Sequence, residues 1–188
     1  MISALGHPLI DYVLAALGGC REVSEVIVSV TGSSPLTESH VQSRGYQTIC
    51  APGDGHDPDL HHVMRLLSTA YVMTVPANLP LLSSEAIDEI IDAFYQAKRS
   101  SMVVGIPESD VQEAILDPAS VMDMNGVQAM PCGVSIMDRD LALNQLCAEP
   151  AYLVTDLEDF AVDVHTIGQL KVAEAILRAR ARAESDPH

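Results

Sequence analysis

Apolar side chains recur with two different periods along the chain, and their alternation predicts alternating helices and strands. Helical spacing (i, i+3, i+4, i+7) is clearest at residues 60–67 and 87–94, whereas unbroken apolar runs at 26–30 and 71–75 are typical of strands buried on both faces. Strands that alternate with helices favour right-handed βαβ crossovers. We therefore expect an α/β fold of three layers, α/β/α, with a mostly parallel sheet.

The same periodicities give the expected order of elements. Helices are predicted at 9–17, 37–44, 60–67, 138–147 and 169–182, with one more that runs from a cap at Ser83 or Ser84 to Lys98-Arg99. Strands are predicted at 26–30, 46–50, 71–75, 101–106, 134–137 and 161–164. The helix after Ser83 or Ser84 has the most complete signals, with acids in its first turn and bases at its end. Ligands of such sheets bind beyond the carboxyl ends of the strands, which directs attention to the loops at 31–36, 51–59, 76–82 and 123–133.

Composition excludes several classes of partner. The net charge of -16, from 26 acids and 10 bases, repels nucleic acids and anionic lipid surfaces. The chain contains neither an apolar run long enough to span a bilayer nor a secretory signal pattern, so we expect no membrane partner and a cytoplasmic location. Four scattered cysteines suggest small buried apolar side chains rather than disulfides or zinc. We expect one domain at 1–183 and a polar tail at 184–188.

A glycine-rich segment, Gly53 to His62, leads into the third expected helix and contains acids and three histidines. Its spacing matches neither a calcium loop nor a paired-histidine zinc helix, because adjacent histidines diverge by about 100° on a helix. Three interpretations stay open. The side chains hold a metal, the turn at Gly53 and Gly55 presents backbone N–H groups to a ligand, or the loop is solvated and capped by an aspartate.

Polar residues also follow later strands. Asn78 comes directly after a buried strand and is expected to face the ligand crevice, although a proline-fixed turn would equally explain this segment. Asp163 and His165 alternate with Val162 and Val164, so both polar side chains are expected on one face of a strand end. A lone inward-facing aspartate is rare, and that face is therefore expected to line a polar site.

The order of four short motifs along the chain is more informative than any one of them. The motifs are Gly6-His7-Pro8-Leu9-Ile10-Asp11-Tyr12-Val13-Leu14, Asn78-Leu79-Pro80-Leu81-Leu82-Ser83, Asn125-Gly126 with Pro131-Cys132-Gly133, and Asp163-Val164-His165-Thr166. In this order they resemble the MobA-like nucleotidyltransferases, and within that group the archaeal GTP:adenosylcobinamide-phosphate guanylyltransferases (CobY-type) of cobamide synthesis. The resemblance covers nearly the whole chain.

The resemblance implies a Rossmann-like nucleotidyltransferase fold and transfer of GMP from GTP to a phosphorylated acceptor, adenosylcobinamide phosphate. Mg²⁺ would neutralise the phosphates while pyrophosphate leaves. The resemblance, together with the glycine turn, implies two groups of site residues. Nucleotide or acceptor binding is expected at Gly53, Gly55, Asn125, Gly126, Pro131, Gly133 and Thr166, and metal binding at Asn78, Asp163 and His165.

Two departures from the family pattern matter. The family's first strand, its G-G-x-G-x-R phosphate loop and a following lysine would all precede Met1, so we expect a start upstream of Met1, the alternative being a remodelled protein. Because that strand is internal in the family's sheet, its absence would leave a gap of about 10 Å lined by unpaired backbone groups. Asn78 stands where the family has a metal-binding aspartate, which predicts weakly held Mg²⁺. We expect Asp163 to restore a carboxylate to the site.

Three classes of function stay open on this sequence. The first is the guanylyltransferase just described. The second is a related transferase with another acceptor, such as molybdopterin. The third is a non-catalytic domain that binds a nucleotide or a corrinoid. The sequence leaves base preference and oligomeric state open, a homodimer included.

Overall fold

The helices and strands of the computed structural model follow the expected alternation. The structure describes residues 1–111 and 118–185. Its strands are β1 (Ser3–Ala4), β2 (His7–Pro8), β3 (Ile27–Thr31), β4 (Gln47–Ala51), β5 (Tyr71–Thr74), β6 (Ser101–Pro107), β7 (Met122–Met124), β8 (Val127–Asp138) and β9 (Ala151–Val154). Its helices are α1 (Leu9–Gly19), α2 (Pro35–Ser43), α3 (His56–Leu66), α4 (Ser84–Ala97), α5 (Arg139–Leu143) and α6 (Ile167–Ser185).

The larger sheet is mixed. Its strand order is β5-β8-β6-β9, and β7 pairs with β8. β6 and β9 are parallel, whereas β8 runs antiparallel between β5 and β6. The α/β class is confirmed. The expected parallel direction holds for β5, β6 and β9, but the long β8 returns from its hairpin with β7 and enters the sheet in the opposite direction.

A second, two-stranded sheet is formed by β3 and β4. The two strands are parallel, and among the described residues neither pairs with a strand of the larger sheet. The core is divided in the same way. Ile10, Leu14 and Val41 form a small cluster, while Leu9 and Val13 belong to the main core. One helix, α1, therefore joins the two parts of the molecule.

The helix after Ser83 is confirmed as α4. The Ser83 side chain accepts a hydrogen bond from the backbone N–H of Ala86 at 3.2 Å, a cap worth about 1 kcal/mol. Ile87, Ile90 and Phe94 recur at helical spacing and are buried in the main core. Each such side chain contributes about 2 kcal/mol by burial. The helix fixes the turn that precedes it, where Asn78 lies.

The strand expected at 161–164 is wrong. This segment forms no strand, and the sheet position beside β6 is taken by β9, for which no strand was expected. The apolar run of β9 covers only four residues, directly after a proline, so it carries no periodic signal. In the segment 161–164, Val162 and Val164 are buried because they pack on the main core, although the segment does not pair with a strand.

The carboxyl-terminal expectations also change. The helix expected at 138–147 is limited to α5, whose first turn is capped by the Asp138 carboxylate. α6 continues to Ser185, so the first two residues of the expected polar tail belong to this helix, and 186–188 lie outside the described residues. No helix in the described ranges has the length and hydropathy to cross a bilayer.

Candidate functional site

The turn after β5 and the segment before α6 are joined at one point, although they are far apart in sequence. The backbone N–H of Val164 donates to the Asn78 carbonyl at 3.0 Å, and the Asn78 amide nitrogen donates to the Val164 carbonyl at 3.2 Å. Leu79 and Leu81 are almost fully buried and anchor the turn in the main core. Asn78 is therefore held firmly, and within the described ranges no hydrogen bond engages its amide oxygen, which could contact a ligand.

Asp163 and His165 lie beside Asn78, and the three residues are called the Asn78 cluster below. Val162 and Val164 are buried, so the expected alternation is present without a strand. His165 Nε2 lies 2.8 Å from Asp163 Oδ2 and 3.4 Å from Asn78 Nδ2. The other carboxylate oxygen, Asp163 Oδ1, is buried and has no hydrogen-bond partner among the described residues. Such an oxygen is unfavourable unless a ligand or cation satisfies it.

Gly133 brings β8 against the same turn. Its φ is +80°, and a Cβ at this position would lie 2.6 Å from Pro76 Cγ, so a residue without a side chain is needed at this bend. The preceding residue, Cys132, is buried. Burial, with a smaller effect of the Asp163 charge, raises the pKa of the Cys132 thiol to about 12. The segment from Pro131 to Gly133 therefore adjoins the Asn78 cluster.

Thr166 and Gln169 cap α6 reciprocally. Thr166 Oγ1 accepts from the backbone N–H of Gln169 at 3.2 Å, and Gln169 Oε1 accepts from the N–H groups of His165 and Thr166, both at 2.7 Å. This is a capping box, and its T-x-x-Q spacing ahead of an apolar run was the signal in the sequence. The Thr166 hydroxyl is engaged by the helix. Gln169, which was not expected at the site, fixes the backbone of His165.

The glycine turn lies at the smaller sheet. Gly53 and Gly55 both have positive φ, +87° and +119°, and a Cβ on Gly53 would lie 3.8 Å from Thr31 Cγ2 at the end of β3. Asp59 Oδ1 accepts from the backbone N–H groups of Gly53 at 2.8 Å and Asp54 at 3.2 Å. Because one carboxylate takes both amides, the geometry matches the aspartate-capped loop among the three interpretations.

The Asn125–Gly126 turn lies at the opposite edge of the larger sheet from β5. Asn125 Nδ2 donates to the Tyr152 carbonyl of β9 at 3.0 Å. A Cβ on Gly105 of β6 would lie 2.5 Å from Met124 Sδ, so the β7–β8 hairpin packs closely over β6. Asn125 is therefore held against β9, whereas Gly133 lies against Pro76 in the turn of Asn78.

The Asn78 cluster carries no cationic partner. Among the described residues, no Lys or Arg side chain forms an ion pair with Asp163, whose side-chain partner is His165. Five arginines are paired with acids elsewhere: Arg21, Arg44, Arg139, Arg178 and Arg180. A triphosphate at this cluster would therefore need its charge neutralised by a cation rather than by these side chains.

A cavity of about 590 Å³ between α4 and the ends of β6 and β9 is separate from the cluster. Its lining includes three acids, Glu89, Asp110 and Asp156, and no residue of the cluster. The negative charge of these side chains opposes the binding of phosphates. The chemistry of the cluster, rather than the size of this cavity, identifies the candidate site.

The donor set of the cluster fits Mg²⁺ only in part. Mg²⁺ prefers oxygen ligands and often takes several from substrate phosphates and water. Asp163 Oδ1 and the Asn78 amide oxygen are suitable donors, whereas the His165 nitrogen is better placed to orient Asp163 through Oδ2. The described residues include no group of three or more His, Cys, Asp or Glu side chains arranged to hold a metal. Phosphate oxygens would have to complete the coordination.

Comparisons with known proteins agree with this fold. A family model described as "MobA-like NTP transferase domain" matches residues 1–166, ending just before α6. A search of curated protein sequences found no match.

Two solved structures have similar folds. One is CMP:2-keto-3-deoxy-manno-octonic acid synthetase complexed with CTP, with 14% identity, a TM-score of 0.70, and coverage of 95% of this chain and 91% of that one. The other is 4-diphosphocytidyl-2C-methyl-D-erythritol synthase from Anaerococcus prevotii, with 14% identity, a TM-score of 0.71, and coverage of 94% and 88%. At this identity the likeness concerns the fold.

Proposed function

The chain belongs to the family of MobA-like NTP transferase domains, and from that premise we propose that it transfers a nucleoside monophosphate from a nucleoside triphosphate to a phosphorylated acceptor. An oxygen of the acceptor phosphate attacks the α-phosphorus and forms a new P–O–P linkage. The bond from the α-phosphorus to the oxygen bridging to the β-phosphate breaks, and pyrophosphate leaves. The reaction needs positioning and charge neutralisation rather than a protein nucleophile.

One observation supports the Asn78 cluster as the proposed site of this reaction. Asp163 has a buried oxygen, Oδ1, without a partner among the described residues. His165, which lies 2.8 Å from the other carboxylate oxygen, is also 3.4 Å from the amide nitrogen of Asn78 in the turn after β5. Mg²⁺ at this position would supply charge neutralisation for the phosphates. Asp163 and Asn78 would hold it, and His165 would keep the carboxylate oriented.

Other groups near the cluster have supporting roles. The paired hydrogen bonds between Asn78 and Val164 keep the two cluster segments together before any ligand arrives. Cys132 lies close by, but its raised thiol pKa keeps it protonated, so it supplies apolar packing rather than a nucleophile.

For the substrates, we propose GTP as the nucleotide and adenosylcobinamide phosphate as the acceptor, on the strength of the motif resemblance. Molybdopterin is the alternative acceptor. Because one similar structure was solved with CTP, CTP is the natural comparison nucleotide. A domain that binds nucleotide without turnover is the second candidate, because Asn78 offers a neutral amide oxygen where the resembled family has a metal-binding aspartate.

The test measures transfer of label from α-labelled GTP or CTP to each acceptor, with Mg²⁺. Asp163→Asn is expected to lower Mg²⁺-dependent transfer at least about tenfold. Asp159→Asn is the matched control, because Asp159 also has a buried oxygen without a partner but lies outside the cluster. Unchanged transfer in Asp163→Asn would remove the proposed site. If no acceptor is labelled, calorimetry with GTP and Mg²⁺ decides for or against the binding-only candidate.

A further inference from the structure

Arg180 lies on the inward-facing side of α6. Ala173 is fully buried in the main core, and Ile176 and Leu177 pack against that core. Residues three, four and seven positions apart share one face of a helix, so Arg180 continues the apolar stripe that includes Ala173. Its side chain is only 32% exposed, and its guanidinium therefore meets protein groups. The residue lies beyond the part of the chain that the family model matches.

The guanidinium of Arg180 contacts two segments that are distant in sequence. Nη1 donates to the Leu81 carbonyl at 2.7 Å, in the turn after β5. Nη2 and Nε donate to Glu158 Oε2 at 3.0 and 3.3 Å, in the short 3₁₀ turn ahead of the Asn78 cluster. Asp159 Oδ2, at 3.5 Å, is the longest contact, so the contacts with Leu81 and Glu158 contribute most. These contacts are called the Arg180 clamp below.

The same two segments meet a second time at the Asn78 cluster, where Asn78 and Val164 are joined by two hydrogen bonds. α6 begins just after this point, at Ile167, and Arg180 lies about 20 Å farther along the helix axis. The turn after β5, the segment that leads to Asp163 and the helix therefore form a closed frame, which is fastened at both ends. Fastening at one end only would leave the spacing of Asn78 and Asp163 less restricted.

Loss of the guanidinium would make the contact repulsive. Glu158 and Asp159 are adjacent acids, and the Leu81 carbonyl directs its negative end at the same guanidinium. Asp159 is largely buried, so water screens its charge poorly. Without a cation between them, the two segments are expected to move apart at this end of the frame.

We propose that Arg180 is a positioning residue of the Asn78 cluster. By clamping both segments from α6, it keeps the spacing between Asn78 and Asp163, the residues proposed to hold Mg²⁺. Arg180 touches no residue of the cluster and acts through the segments that it holds. Its effect on transfer rests on the proposed function, whereas its effect on the geometry of the cluster does not.

Amide hydrogen exchange of Val164 tests the geometric part, because this N–H donates to the Asn78 carbonyl across the frame. Arg180→Met removes the guanidinium donors and keeps an unbranched side chain. Arg139→Met is the matched control. Arg139 Nε also donates to a backbone carbonyl at 2.7 Å, that of Met64, at the opposite end of β5 from Asn78. The Val164 amide is expected to exchange at least about tenfold faster in Arg180→Met than in Arg139→Met.

Equal exchange of the Val164 amide in the two variants would overturn the proposal, because either arginine would then act only through overall stability. If Arg180→Met does not fold, Arg180→Lys is compared with Arg139→Lys. An ammonium lacks the planar fork that reaches Leu81 and Glu158 together, so Val164 should still exchange faster in Arg180→Lys. Equal rates in the two lysine variants would overturn the proposal in the same way.

Transfer of label from α-labelled GTP, measured against Mg²⁺ concentration, tests the positioning role. The Mg²⁺ concentration for half-maximal transfer is expected to rise about tenfold in Arg180→Met, as is typical when a group that orients metal ligands is lost, and to stay at the wild-type value in Arg139→Met. A merely structural role would lower the amount of active enzyme without changing this concentration. An unchanged Mg²⁺ requirement in Arg180→Met would therefore overturn the positioning role. If the wild type transfers no label, the proposed function fails, and the Val164 measurement alone decides whether Arg180 sets the geometry of the cluster.

Discussion

Gln169 fixes the backbone beside the Asn78 cluster, because its side-chain oxygen accepts hydrogen bonds from the N–H groups of His165 and Thr166. Gln169→Ala leaves two backbone donors without their acceptor and is expected to lower the free energy of unfolding by about 1 to 2 kcal/mol. Gln169→Glu keeps the acceptor, since glutamate serves equally in capping boxes, and should stay close to the wild type. Urea unfolding of the three proteins at one pH measures this. Equal losses in both variants would contradict a capping role.

The ion pair of Asp88 with Arg21 makes the free energy of unfolding depend on pH in the acid range. Arg21 donates from Nε to Asp88 Oδ2 at 2.8 Å, and this hydrogen bond holds the pKa of the Asp88 carboxyl below its usual value. A carboxyl whose pKa is lower in the folded than in the unfolded state stabilises the fold above the unfolded pKa, about 3.9, and loses that effect as the pH falls through the folded pKa. Asp88→Asn should therefore be less stable than the wild type at pH 7, with the difference shrinking below about pH 4.

Unfolding free energies measured between pH 7 and pH 3 test this dependence. Asp92→Asn is the control, because Asp92 lies 3.9 Å from Arg21 and is largely exposed. A difference between Asp88→Asn and the wild type that is constant with pH would contradict the coupling.

At the scale of elements, Gly133 determines how β8 passes the turn after β5. Gly133→Ala must place a Cβ near Pro76 in a left-handed backbone, and both effects are unfavourable. We expect a loss of about 2 to 4 kcal/mol. Gly126→Ala is the matched variant, because Gly126 has a similar φ of +85° but no atom within 4 Å of the added Cβ. Its loss should be about 1 to 2 kcal/mol. Thermal unfolding compares the two, and equal losses would exclude a steric role of Pro76.

The elements with strong local signals were predictable from the sequence. α4 has a cap, an apolar stripe and terminal charges within one segment, and β3 is an unbroken β-branched run. β9 and the segment at 161–164 are both short and apolar, so only the packing decides which of them enters the sheet. Local sequence patterns do not determine which of the two segments becomes the strand.

The proximity of the candidate-site residues could be predicted where alternation and the end of β5 determine it. Asn78 follows a strand and Asp163 alternates with buried valines, so their orientation could be deduced, and the structure brings them together. The position of Asn125 depends on Met124 packing over Gly105, a contact between segments about twenty residues apart. The role of Gln169 was available in the T-x-x-Q spacing but requires knowing where α6 begins.

The whole molecule has two cores of unequal size, joined by α1. The small cluster of Ile10, Leu14 and Val41 holds β3, β4 and α2, while the larger sheet has its own core. A unit with few buried contacts opens at lower free energy than the rest of a protein. Amides of β4 are therefore expected to exchange through opening of this unit, whose free energy is lower and falls less steeply with urea than that of global unfolding, because less surface is exposed. Amides of β6 should follow global unfolding. Native-state hydrogen exchange against urea measures this, and identical opening free energies for β4 and β6 would contradict the division.

Because the Cys132 thiol is buried, its rate of alkylation depends on how often the structure around it opens. Burial raises the pKa of this thiol to about 12, so it stays protonated at pH 8, and alkylating reagents attack the thiolate. Cys50 is exposed and can serve as the reference for reagent access. The rate at which Cys132 is alkylated therefore reports opening of the contact between β8 and the turn of Asn78. A ligand that closes the cluster would lower this rate, so its binding could be detected without observing turnover.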